Sequence, residues 1–116
     1  MTKTIYKICT RDAWARAVQS GVYYGAPIDL EDGFIHFSSA TQVAETAAKH
    51  FNGQSDLVLV ALDTGKLGSG LKWEPSRGGD LFPHLYGQLR ADLAEWVKPL
   101  PLGTDGQHVF PEGVLA

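Results

Sequence analysis

Six consecutive apolar residues, Leu57 to Leu62 (LVLVAL), sit between polar turn residues. A run this short with such flanks predicts a central β-strand buried on both faces. Other strands are expected around it. Thr4 to Cys9 alternates, with Ile5, Lys7 and Cys9 on one face and Tyr6 and Ile8 on the other. Phe34 to Ser38, Leu71 to Glu74, Leu81 to Gly87 and Ala94 to Leu100 also read as extended, and Pro83 restricts its segment to an edge or irregular strand.

Two helices are expected in the N-terminal half. Thr10 and Asp12 bring helix-start chemistry, Trp14 and Val18 share a face, and Gly21 offers a left-handed stop, which predicts a helix over 11–20. Ser39 as N-cap, with the stripe Val43, Ala47 and Phe51, predicts a second over about 41–52. Residues 21–33 hold turn signals and read as an ordered loop in which Tyr23, Tyr24, Ile28 and Leu30 seek burial. Helices early and strands late predict an α+β fold, and 116 residues suit a single domain spanning 1–116.

Composition narrows the functional classes. Thirteen acidic against ten basic residues, interspersed, leave a net charge of −3, which argues against bulk nucleic-acid binding. No apolar run approaches the roughly 20 residues of a membrane span, and no secretory signal opens the sequence. Cys9 is the one cysteine, so an internal disulfide and thiolate-bound zinc are both excluded. A cytoplasmic protein is expected.

Two short strings carry the candidate chemistry. Phe34, His36 and Ser38 lie two apart, so a strand presents an aromatic ring, an imidazole and a hydroxyl on one side, leaving Ile35 and Phe37 for the core. Phe82, His84 and Tyr86 repeat the arrangement, with Leu81 and Leu85 opposite. If the two strands face each other across a cleft, the rings could sandwich a planar base while the polar groups hold a ribose or phosphate. Glu74 and Arg77 could add a carboxylate and an anion clamp. His36, Glu74 and His84 are thus the catalytic candidates; Phe34, Ser38, Arg77, Phe82 and Tyr86 are the ligand-binding ones. A histidine on a half-buried strand more often serves packing, and Ser38 could equally cap the following helix. His36, His84 and Glu74 match a two-His, one-carboxylate inventory by count alone, so no metal is expected. Gly68-Ser69-Gly70 and Gly78-Gly79 lack the context of a phosphate-binding loop. His50 and His108 read as surface residues.

The strings IYKI, DGFIHFS, LVLVALD, LKWEPSRGGDLFPHLYG and WVKPL together resemble the bacterial domain-of-unknown-function family 952 over nearly the whole chain. The resemblance implies an ADP-ribosyltransferase-like fold, in which two small, roughly perpendicular sheets hold NAD in a cleft. His36 and Ser38 are similar to the His-x-Ser step of the tRNA 2′-phosphotransferase branch, which implies contact with the nicotinamide or ribose side of a dinucleotide. The chain departs from that pattern in three places. Tyr6-Lys7-Ile8 stands where the superfamily sets a first-strand His or Arg; Glu74 and Glu95 are the nearby acids for a late-strand Glu; and the arginines are Arg11, Arg16, Arg77 and Arg90. Two functions follow. One is an NAD- or nucleotide-binding protein with glycosyl- or phosphotransferase-type chemistry; the other is a non-catalytic module for a small metabolite or partner segment.

Overall fold

The computed structural model describes residues 3–115, apart from the side chain of Arg77. The strands are β1 (Thr4–Thr10), β2 (Val22–Tyr23), β3 (Ile35–His36), β4 (Ser38–Ser39), β5 (Leu57–Asp63), β6 (Leu71–Pro75), β7 (Leu81–Leu85), β8 (Leu89–Arg90) and β9 (Trp96–Pro99). The helices are α1 (Arg11–Ser20), α2 (Pro27–Asp32) and α3 (Val43–His50). The fold is α+β, built on small antiparallel sheets: four strands in the order β4-β1-β5-β9, three in the order β3-β7-β6, and the pair β2-β8.

The LVLVAL run is continuous because both of its faces are covered. Val58, Val60 and Leu62 join a core cluster with Ile5, Cys9 and the α1 residues Trp14 and Ala17. Leu57, Leu59 and Ala61 join a second cluster with Tyr6, Ile8 and the α3 residues Val43 and Ala47. Thr10 caps α1 by accepting from the Ala13 amide at 3.1 Å, and Gly21 ends it at φ +91°. The buried face of α1 is Trp14 with Ala17; Val18 lies outward, 61% exposed.

Several expectations are corrected. Residues 21–33 form β2 and the third helix, α2, which starts on Pro27 and ends at Gly33 in the left-handed region. Tyr23 is buried there, but Tyr24, Ile28 and Leu30 are exposed. Phe34 to Ser38 is not one strand. The chain leaves the three-stranded sheet after His36, turns Phe37 into the core, and joins the four-stranded sheet at Ser38. Ser39 does not cap α3; its amide donates to Gln42 Oε1, and the helix begins at Val43. Pro83 lies in the middle strand of its sheet, because β3 stops opposite His84 and leaves Pro83 without a full neighbour on that side. Its carbonyl accepts from the Phe37 amide at 3.0 Å. The missing N–H points the same way, toward the side on which β3 has already ended.

Candidate functional site

The strand exchange at Phe37 opens the site. β1 pairs with β4 only at Ile5 and Tyr6, so β3 diverges from β1 beyond them. A cleft of about 560 Å³ lies at this parting. Tyr6, Ile8, Phe37, Phe51 and Phe82 give it apolar walls, with Ile28 of α2 at its margin. Lys7, Asp29, His36, Ser38 and His84 are its polar lining, and Asp32, Thr46, His50 and Ser76 complete it. This volume is within the range of ligand pockets. A smaller hollow of about 290 Å³ beside Gln42 and Leu81 holds no imidazole.

Buried charge fills the gap between β1 and β3. Lys7 Nζ donates to Asp29 Oδ2 at 2.8 Å and to the His36 carbonyl at 2.9 Å. Asp29 Oδ1 accepts from the His36 amide at 3.1 Å and meets His36 Nδ1 at 2.6 Å, while Oδ2 also accepts from the Ala26 amide at 2.8 Å. These two side chains take up edge groups of β3 that a neighbouring strand would otherwise pair. Gly25 permits the tight wrap. It sits at φ +119°, and a Cβ there would stand 2.8 Å from that of Asp29. Burial pushes the Asp29 carboxyl up, but the bonds from His36 and Lys7 outweigh it and hold the group down at about 2. Burial pulls the Lys7 ammonium below the ordinary lysine range, against the opposing attraction of Asp29.

The imidazoles are neighbours in one sheet, not partners across a cleft as the alternation suggested. His36 pairs directly with His84 between β3 and β7, and their rings meet edge to face at 5.3 Å. Both line the cleft. Their bonding differs. His36 has Nδ1 against Asp29 and Nε2 against Asp32 Oδ2 at 3.0 Å, so both ring nitrogens are engaged. His84 has Nδ1 against Glu74 Oε1 at 2.9 Å, and among the described residues no partner meets Nε2. Phe34 stacks on His84 at 4.1 Å and also packs against Tyr86.

The remaining candidates divide. Phe82 and Ser38 line the cleft, although the Ser38 hydroxyl is shared with Thr46 Oγ1 at 2.8 Å and so ties β4 to α3. Phe34, Glu74 and Tyr86 are outside the cleft lining: Phe34 stacks on the face of the His84 ring, Glu74 meets its Nδ1, and Tyr86 bonds Glu74. The Tyr86 hydroxyl donates to both Glu74 oxygens, at 2.9 and 3.2 Å. Glu74 is held below the usual carboxylate range, first by the bond from His84 and then by Tyr86; the same contact raises the Tyr86 phenol. The side chain of Arg77 lies outside the described residues. Among those described, no group of three or more His, Cys, Asp or Glu is arranged to hold a metal ion, and no helix is long and apolar enough to cross a membrane. His50 is exposed, as expected, and also borders the cleft, while His108 is half-buried with Nε2 2.8 Å from the Gln54 carbonyl.

Sequence reasoning missed Lys7, Asp29 and Asp32 as site residues. A lysine between apolar neighbours on a buried strand was the available signal for Lys7. Pro27 at a helix start and Gly33 just past its end were the signal for α2, which carries both acids.

The family of proteins of unknown function DUF952 matches residues 8–97. The chain belongs to the DUF952 family. No curated protein matches it. Among solved structures, the crystal structure of protein CC0527 from Caulobacter crescentus is 45% identical, covers 97% of this chain and 98% of that one, and has a TM-score of 0.92. A double mutant of CC0527 is similar at 44% identity over 97% of this chain and 98% of that one, with a TM-score of 0.91. The solution NMR structure of CC0527 is 48% identical over 90% of both chains, with a TM-score of 0.82. The α+β arrangement of this DUF952 protein is thus shared with a solved protein along almost its full length.

Proposed function

We propose that the cleft is a binding site for NAD or a related nucleotide, with the ligand's base against Phe82 and Phe37 and its ribose hydroxyls toward His84 and Ser38. One observation carries the reading: His84 is 4% exposed, lines an apolar-walled cleft, and keeps one ring nitrogen free. A ring nitrogen that opens onto the cleft can bond a ligand without breaking a bond within the protein. The parting of two antiparallel sheets at the site supports an ADP-ribosyltransferase-like reading of the architecture. The lone cysteine, Cys9, is buried and free, which suits a cytoplasmic protein.

The nucleotide reading is tested by calorimetric titration with NAD, ADP-ribose and a nucleoside panel, on the wild type and on His84→Ala. Binding in the wild type, weakened at least about tenfold by the substitution, supports it. No heat and no thermal shift from any of these compounds would sink it.

A second reading, a non-catalytic module for a small metabolite on the same fold, draws on a different observation. Both nitrogens of His36 are engaged by carboxylates, and Glu74 is turned to His84 and Tyr86 instead of the cleft. Glycosyl or phosphoryl transfer would then lack the groups expected for it. Long incubation of the protein with NAD and candidate acceptors separates the two: a bound ligand that stays intact favours the module.

A further inference from the structure

We propose that Glu74 is a positioning residue that locks His84 in the tautomer with its proton on Nδ1, so that Nε2 faces the cleft as a bare acceptor and selects ligands bringing a hydroxyl donor to it. The proposal rests on the nucleotide reading for the ligand, but its core concerns the protein alone.

An ionised carboxylate can only accept. Glu74 already accepts from the Tyr86 hydroxyl, so a neutral His84 satisfies the 2.9 Å contact only by carrying its hydrogen on Nδ1. The proton on one ring nitrogen dictates the role of the other. Nε2 is then a lone-pair acceptor. The ring cannot easily turn to escape this assignment, since Phe34 stacks on it at 4.1 Å and its side chain is 5% exposed. His36 offers no competing acceptor on the same wall, with both of its nitrogens against carboxylates.

A bare acceptor at that depth discriminates between ligands. A ribose hydroxyl can donate to it, whereas a deoxygenated sugar leaves the nitrogen desolvated and unpaired. The same geometry suits acceptance of a proton from that hydroxyl, because an imidazolium at position 84 would face Glu74. Glu74 lies outside the cleft lining, so its influence on a ligand passes through the ring.

Long-range proton–nitrogen NMR on the ligand-free, nitrogen-labelled protein, recorded over a pH series and read from the neutral form of the ring, tests the lock. The wild type should show His84 with a protonated Nδ1 and an unprotonated Nε2. Glu74→Leu should lose that signature, while Tyr86→Phe, which removes a donor to Glu74 and no acceptor for His84, should keep it. A wild-type His84 protonated on Nε2, or a Glu74→Leu variant that retains the Nδ1 proton, overturns the proposal. Calorimetry with adenosine and 2′,3′-dideoxyadenosine tests the selection: the wild type should favour adenosine by about tenfold or more, and Glu74→Leu should erase most of that ratio. Equal affinities in the wild type overturn the selection. If neither nucleoside binds, the nucleotide reading falls, and the NMR signature by itself decides the role of Glu74.

Discussion

Two carboxylate–histidine pairs lie side by side in this molecule and behave as opposites. In one, the carboxylate is buried and the imidazole is spent: Asp29 is 2% exposed, and His36 is gripped at both nitrogens. In the other, the imidazole is buried and the carboxylate is the more open partner: the side chains of His84 and Glu74 are 5% and 33% exposed, and Nε2 is uncommitted. The first pair closes a gap between diverging strands. The second leaves Nε2 uncommitted beside the cleft, the atom on which the proposed ligand reading rests. Histidine content and strand alternation are alike in the two; the difference is a second acid, Asp32, at His36 Nε2, which has no counterpart at His84 Nε2 among the described residues.

The largest expected effect lies on the scaffold side. Asp29→Asn strips the charge facing Lys7 in a buried setting and should cost about 3–5 kcal/mol in denaturant unfolding, the scale of breaking a buried pair. A loss below about 1 kcal/mol would dissolve the contrast with Glu74. His36→Ala should follow at about 1.5–3 kcal/mol, the scale of bonds to charged groups.

The pH dependence sharpens the same point. The Asp29 carboxyl titrates at about 2 in the folded protein against an ordinary value of 3.8. The unfolded chain therefore takes up that proton at higher pH than the folded one. Its contribution to stability is whole above about pH 4 and drains away as the pH falls through about 2. Unfolding midpoints measured across this window should fall in the wild type, with the gap to Asp29→Asn narrowing as acid is added. A gap that stays constant would show that another group controls the acid limb.

Smaller effects probe the edges of each pair. Asp32→Asn loosens one nitrogen of a partly exposed histidine and should cost no more than about 1 kcal/mol. Tyr86→Phe should leave the unfolding midpoint near that of the wild type, since the hydroxyl it removes is exposed and bonds only an exposed edge of Glu74. A large loss from Tyr86→Phe would make the second pair as structural as the first.

Much of the frame was legible from local pattern. Alternation in Phe34 to Ser38 correctly sent Ile35 and Phe37 inward, and LVLVAL correctly announced a strand covered on both faces. The Thr10 cap and the Gly21 stop bounded α1. The break of one strand into β3 and β4 carried no local signal, because leaving one sheet for another depends on which neighbours offer free edges. Asp29 was hidden for a related reason. An acid in a turn-rich stretch is ordinarily solvated, and this one is buried only because Lys7, 22 residues earlier in the chain, reaches the same gap.

The order of residues along the chain was enough to specify the α+β class, the buried central strand and the two imidazole-bearing strings, since these depend on spacings of two to four residues. Which imidazole would be bonded at both nitrogens and which would keep one uncommitted was decided only by tertiary packing. That choice rests on where Asp29, Asp32 and Glu74 come to lie around the two rings, and their placement is a property of the assembled fold.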